Sequence, residues 1–138
     1  MTESMVERVF VAKVESIPLV AEFVTEQAEQ AGLTAKRLMQ LALVIEEAVI
    51  NICNYAYEVP PGEVTVRIHT DAGRFVMEFE DGGVPFDPLT VAEPDIKLSL
   101  EEREAGGLGI FLIRRMTDEV HYRRVNGRNI LSVAINTP

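Results

Sequence analysis

Three groups of residues in this 138-residue chain have types and spacings suited to chemistry. Glu47 and Asn51 stand one helical turn apart in a largely apolar segment. Buried without partners, a carboxylate and an amide would cost on the order of a few kcal/mol. A bound cation would remove that cost. Mg²⁺ takes few protein oxygens and completes its shell with phosphate and water, and an Asn carbonyl can supply one such oxygen. A glutamate one turn away can accept a proton from an attacking hydroxyl or water. The competing reading is a solvated strip without a role. Glu46 falls at another angle, nearer the core flank, and is the weaker candidate.

Asp81 is in phase with Phe75, Met77 and Phe79, so it points to the core side of its strand, and Gly82-Gly83-Val84-Pro85 follows it. A carboxylate at the mouth of an apolar slot, beside glycines that let a ligand come close, can accept a hydrogen bond from an exocyclic amine such as that of adenine. An ordinary turn aspartate has the same local sequence. Gly106-Gly107-Leu108-Gly109 runs directly into Ile110-Phe111-Leu112-Ile113. A glycine-rich turn feeding a helix start offers unpaired N–H groups and the positive dipole end, both suited to phosphate. It is neither a Walker A sequence nor a dinucleotide-binding fingerprint. The preceding stretch from Asp87 to Ala105 reads as a lid, because unstructured segments of that length in compact domains usually serve function or are disordered. Lys97 and Arg103 are its phosphate-reaching candidates, with solvated surface charge as the alternative.

These residues must be positioned by elements that the pattern also predicts. Met5 to Val14 reads as a strand. Ile17 to Ala31 reads as a helix ended by Gly32. Thr34 can cap a second helix that runs to about Tyr57, with Leu38, Leu41, Ala42, Ile45, Val49, Ile52 and Ala56 on its core face and Leu43, Val44 and Ile50 on the other. Val64 to His69 and Phe75 to Phe79 form a hairpin about Asp71-Ala72-Gly73. Leu108 to Thr117 is a short helix. Val120 to Arg124 and Ile130 to Asn136 form a second hairpin about Asn126-Gly127. That order predicts one α+β domain over residues 1–138, a two-layer sandwich with helices on one face of a mainly antiparallel, mixed sheet.

Composition narrows the class. Hydrophobic residues make up 47% and charged residues 25%, which suits a globular domain. A net charge of −9 repels phosphate backbones and argues against a nucleic-acid partner, while a few local N–H groups and a metal still allow a nucleotide. Cys53 is the single cysteine, so no intramolecular disulfide can form. Residues 1–10 lack a signal-peptide pattern and no apolar run is long enough to span a bilayer, which points to the cytoplasm and away from a membrane. His69 and His121 fall in strands and read as surface residues.

Taken together and in this order, the motifs resemble those of GHKL ATPases, whose ATP-binding domain has the Bergerat-type fold. Glu47-Ala48-Val49-Ile50-Asn51 looks like the N-box, Asp81-Gly82-Gly83-Val84-Pro85-Phe86-Asp87 like the G1 box, and Gly106-Gly107-Leu108-Gly109-Ile110 like the G2 box. The Pro-Phe-Asp-Pro after the G1 box, the Gly-Leu-Gly-Ile-Phe-Leu-Ile run and the Gly-Arg-Asn-Ile-Leu of the last hairpin are similar to small stand-alone anti-sigma factor serine kinases. The resemblance implies ATP and Mg²⁺ as cofactors, with Asn51 on the metal, Glu47 as general base and Asp81 on the adenine amine. Gly83 would let the base approach. Gly106, Gly107, Leu108 and Gly109 would form the lid hinge, about 87–107, and the phosphate contacts. It further implies phosphate-side roles for Asn54 and Tyr55, places Pro85 in the G1 box, and matches Ser132 to a hydroxyl residue near the adenine. Tyr55 stands where relatives often carry His, and Pro85 where the G1 box often has a second Gly.

The implied activity is transfer of the γ-phosphoryl of ATP to a small antagonist protein of STAS fold. A sigma factor would be the competing partner and the kinase a homodimer. A second reading is an ATP-dependent binding module without transfer. A third, a detached histidine-kinase domain, is disfavoured by a chain that starts at its first strand. A structural relative without nucleotide is disfavoured by the presence of Glu47, Asn51, Asp81 and the glycines together.

Overall fold

The computed structural model describes residues 5–57, 62–90 and 107–138. Strand β1 (Met5–Val11) leads through a short 3-10 turn (Val14–Ser16) into helix α1 (Ile17–Gln30). Pro18 sits in the first turn of α1, where its missing N–H costs nothing. The helix stops at Gly32, whose φ of +84° lets Gly32 N–H reach Glu29 O at 3.0 Å and Leu33 N–H reach Ala28 O at 3.1 Å. That is a Schellman cap, with Leu33 and Ala28 both buried in the core. Thr34 then caps helix α2 (Ala35–Asn51), its hydroxyl accepting from Arg37 N–H at 3.2 Å.

Strands β2 (Glu63–Asp71) and β3 (Arg74–Asp81) form a hairpin whose two turn residues, Ala72 and Gly73, have φ of +48° and +81°. After α3 (Gly107–Met116), strands β4 (Glu119–Val125) and β5 (Arg128–Asn136) form a second hairpin, with Asn126 and Gly127 at +51° and +77°. Two successive positive φ values match the right-handed twist of the flanking strands. The sheet order is β1-β2-β3-β5-β4, and every pairing among the described residues is antiparallel.

One face of the sheet carries the core. Val64, Val66 and Ile68 of β2, Phe75, Met77 and Phe79 of β3, and Leu131, Val133 and Ile135 of β5 pack with Val20, Val24 and Ala28 of α1, with Leu41, Val44, Ile45, Ala48 and Val49 of α2, and with Ile113 of α3. The opposite face mixes charged pairs with buried apolar residues, Val76, Ile130 and Ala134. There Glu80 pairs with Arg67 at 2.9 Å and with Arg128 at 2.5 Å, Arg67 also pairs with Glu7, and Arg123 pairs with Glu78. The Arg67 and Arg128 hydrogen bonds hold the Glu80 carboxyl below its usual range against the opposing effect of burial. Arg37 ties α2 to the start of β4 through Asp118, which also accepts from Asn136 N–H of β5 at 2.7 Å.

The structure differs from the sequence expectation in three places. Strand β1 ends at Val11, not Val14: Ala12 N–H goes to Gly62 O and Lys13 N–H turns back to Val11 O. The second helix does not run as α to Tyr57; it is α-helical to Asn51 and π-helical from Ile52 to Ala56. Its core stripe is also rotated: Val44 is buried, while Ala42 and Leu43 are exposed.

Candidate functional site

A cleft enclosing about 360 Å³, part of it open solvent, lies between the end of α2 and the sheet. Ala48, Ile52, Ala56, Phe79, Phe86, Pro88 and Leu131 make its apolar wall, and Asn51, Asp81, Tyr122 and Asn129 are its polar lining. The positions follow from local structure. Asp81 is the last residue of β3, in phase with the core residues Phe75, Met77 and Phe79, so its side chain ends at the cavity floor. Asn129 is its register partner on β5, in phase with Leu131, Val133 and Ile135.

Asp81 is 4% exposed. Its Oδ1 accepts from Gly83 N–H and from Asn129 Nδ2, both at 2.9 Å. Among the described residues Oδ2 has no donor, so it can accept one from a ligand. Asn129, also 4% exposed, is saturated. Its Nδ2 also donates to Val84 O at 2.8 Å, and its Oδ1 accepts from Tyr122 O–H at 2.5 Å, Arg124 at 3.0 Å and Phe86 N–H at 3.3 Å.

The loop after β3 is fixed to the π-helical turn. Val84 N–H donates to Ala56 O at 2.7 Å. A Cβ on Gly83 would lie 2.0 Å from that same oxygen, so the glycine is required by the Ala56 backbone. The sequence reading gave Gly83 a different purpose, the close approach of a base. Tyr57 adds a second tie. Its hydroxyl accepts from Gly82 N–H at 3.0 Å and donates to Glu63 O at 2.5 Å, and its ring fills the space where a Cβ on Gly62 would stand. π-helical turns are rare and concentrate at functional sites.

Asn51 closes α2 at the cavity wall. It is 7% exposed, and its Nδ2 is the one buried side-chain polar atom among the described residues that has no hydrogen-bond partner. Such a group costs about 1–3 kcal/mol until something engages it. A half-turn of the amide presents either its NH₂ to an anion or its oxygen to a hard cation. Glu47 lies one turn earlier, half-buried, with no hydrogen bond or ion pair among the described residues. Burial, and then the neighbouring Glu46, push its carboxyl above the usual range. An apolar slot with an acceptor at its floor, an unpaired amide on its wall and a proton-accepting carboxylate one turn from that amide fits a purine nucleotide with a hard cation.

The other expected residues lie as follows. Asn54 is exposed and Pro85 is exposed; neither lines the cavity. Tyr55 lies within the π-helical turn. Ser132 pairs with Glu78 and His121, on the alternate face of β5 from Asn129, so it is not brought to Asp81. The β5 residue at the site is Asn129, which the sequence reading missed; its phase with Leu131 and Val133 was the available signal. Helix α3 begins at Gly107, so Gly107, Leu108 and Gly109 form its first turn instead of a loop before it. Gly106, Lys97, Arg103 and most of the expected lid lie outside the described residues. No described helix is long and apolar enough to cross a membrane.

Comparison with known proteins bears on the family and the fold. Serine-protein kinase RsbW of Bacillus cereus (strain ATCC 10987 / NRS 248) is 27% identical over 124 residues, which cover 87% of this chain and 78% of that protein. RsbW of Bacillus mycoides (strain KBAB4) gives the same identity and coverage. The crystal structure of the RsbU and RsbW domains of Rv1364c from Mycobacterium tuberculosis superimposes with a TM-score of 0.62 at 14% identity, which shows a shared fold. It covers 96% of this chain, and this chain spans 32% of that one, about a third of its length. The model of the histidine kinase-like ATPase domain matches residues 10–135. The chain therefore belongs to the histidine kinase-like ATPase domain family.

Proposed function

We propose that this chain is an ATP-dependent protein serine/threonine kinase of the anti-sigma factor type. Its substrate would be a small antagonist protein of STAS fold, its competing partner a sigma factor, its working form a homodimer and its location the cytoplasm. The observation that carries the reading is the buried Asn51 amide, whose Nδ2 has no partner among the described residues, at the cavity that holds Asp81 and one turn from Glu47. The relatives named serine-protein kinases support the choice of acceptor.

Mg²⁺-ATP, when bound, supplies the phosphoryl group and the charge neutralisation that its transfer requires. Asn51 would hold the cation through its amide oxygen. Asp81 Oδ2 would accept from the base edge, while Phe79, Ile52, Ala48 and Leu131 exclude water from the ring. The first turn of α3, from Gly107, has N–H groups without helical partners, which suits phosphate oxygens. Glu47 would orient the serine hydroxyl and take its proton; its raised pKa brings its basicity closer to that task. Gly106 and the rest of segment 87–107 would close over the phosphates, with Asn54 and Tyr55 on the phosphate side. Pro85 and Ser132 have no part in this reading, because neither lies at the cavity.

The test is calorimetric titration with ATP, with and without Mg²⁺, on the wild type and on Asn51→Ala. Micromolar binding that needs Mg²⁺ and weakens at least about tenfold in Asn51→Ala is expected. Absence of binding to nucleotide-free wild type would sink the proposal. Binding with no phosphate transferred to a serine of any STAS-fold protein would leave an ATP-dependent binding module.

A further inference from the structure

We infer that Arg114 is a positioning residue for the apolar wall at Pro88, so that a cation carried on the phosphate-side helix acts on the nucleoside end of the ligand. The inference rests on the nucleotide reading above. Pro88 is buried and forms part of the cavity wall. It lies in a one-turn 3-10 segment, Pro88–Thr90, outside the sheet. Proline has no N–H to bond, so the wall is held through its neighbour. Leu89 N–H donates to Asp87 Oδ1 at 2.9 Å, and Leu89 O accepts from Arg114 Nη2 at 2.7 Å. The first bond is local to the loop. The second crosses to α3 and fixes the segment to another element.

Arg114 suits that task because its half of α3 is itself fixed. Ile113 is fully buried in the core, and its carbonyl accepts from the Thr117 hydroxyl at 2.7 Å. Arg37 of α2 donates to Met116 O at 3.4 Å and pairs with Asp118 at 2.9 Å. A guanidinium only donates, and its bond to a carbonyl is charge-assisted. At 1.5 Å per residue, Arg114 stands about 10 Å along the axis from Gly107, where phosphate would be taken. Arg115, in the same turn, supplies the comparison: its guanidinium lies 5.1 Å over the Phe111 ring, and among the described residues it has no bond to Pro88 or Leu89. A residue that holds the wall changes the fit of base and sugar, with or without phosphates. A residue that touches phosphate changes ATP alone.

The experiment measures Kd and stoichiometry by calorimetry, for ATP with Mg²⁺ and for adenosine, on wild type, Arg114→Met, Arg114→Lys and Arg115→Met. Arg114→Met keeps an apolar stem and loses the donor. It is expected to weaken both ligands by one common factor, about threefold to tenfold, the scale of one net hydrogen bond. Unchanged stoichiometry shows that the weakening belongs to folded sites. Arg114→Lys keeps a cationic donor for a single carbonyl and is expected to recover most of the affinity for both ligands. Arg115→Met is expected to match wild type. Weaker ATP with adenosine unchanged in Arg114→Met would make Arg114 a phosphate ligand and overturn the inference. So would unchanged binding of both, equal weakening in Arg115→Met, or no recovery in Arg114→Lys. A wild type that binds ATP but not adenosine overturns the inference alone. A wild type that binds neither overturns the nucleotide reading with it.

Discussion

At the Asp81 end of the cavity, polar atoms are paired with one another: Asp81 with Gly83 and Asn129, and Asn129 with Tyr122, Arg124, Phe86 and Val84. At the other end, Asn51 Nδ2 has no partner and Glu47 has no hydrogen bond or ion pair among the described residues. The two ends lie on different elements, a strand pair and a helix terminus, tied through Val84 N–H to Ala56 O and through the Tyr57 hydroxyl. Under the proposed function, the contrast separates recognition from reaction. A network filled everywhere but at Asp81 Oδ2 is rigid before any ligand arrives, and every bond in it specifies a shape. An unsatisfied end stores the cost of its unpaired groups and recovers it only with a ligand in place.

Substitutions at the two ends should therefore fail differently. The largest effect expected is in Glu47→Ala, with phosphoryl transfer falling about 10²–10⁴-fold while the Kd for ATP moves less than about threefold. Asp81→Asn should do the reverse, weakening ATP by about tenfold or more and leaving the rate at saturating ATP much closer to wild type. Single-turnover transfer beside calorimetric Kd separates these, and equal changes in both quantities for both variants would break the comparison. The tie between the ends is probed by Gly83→Ala. Its methyl would meet Ala56 O, so chemical denaturation should report a loss of about 1–3 kcal/mol, along with weaker ATP binding.

The smallest effect expected is one of pH. Burial raises the Glu47 pKa in the folded state, so its favourable contribution is present only while it is protonated, and is lost as pH rises through the folded value. At neutral pH the ionised, half-buried carboxylate is a cost. Glu47→Gln should accordingly melt slightly above wild type at neutral pH, and the gap should close as the pH falls below the ordinary range of a glutamate. A gap that widens on acidification would contradict the burial argument.

Much of this was legible from residue types. Gly32 and Thr34 mark a helix end and a helix start by their backbone and hydroxyl chemistry, and both behave so. Asn126-Gly127 reads as a tight turn because both residues tolerate positive φ, and Asp71-Ala72-Gly73 because of its glycine, with Ala72 taking φ of +48° in the turn. Period-2 phase put Asp81 on the core side. What stayed hidden depends on tertiary contact. Ile52 to Ala56 continues an apolar helical pattern, and nothing local announces the wider π turn; the loop after β3, bonded to Ala56 O, accompanies it. Leu43 and Val44 are both apolar, and only tertiary packing decides which is buried. Ser132 was matched by motif although strand phase already separated it from Asp81 and pointed to Asn129.

The π-helical turn also bears on which changes of chain length the protein can survive. A π turn accommodates one residue more than the α-helix it interrupts, and each residue of an α-helix advances the chain by about 100°. Deleting one residue between Ile52 and Ala56 would restore a regular helix and swing Ala56 and Tyr57 away from Val84, Gly82 and Glu63, which they hold. Inserting one would overshoot in the other sense. This stretch should therefore tolerate changes of side chain far better than changes of length, in contrast to the exposed turn at Asn126-Gly127, where hairpin loops of several lengths can close the same strand pair.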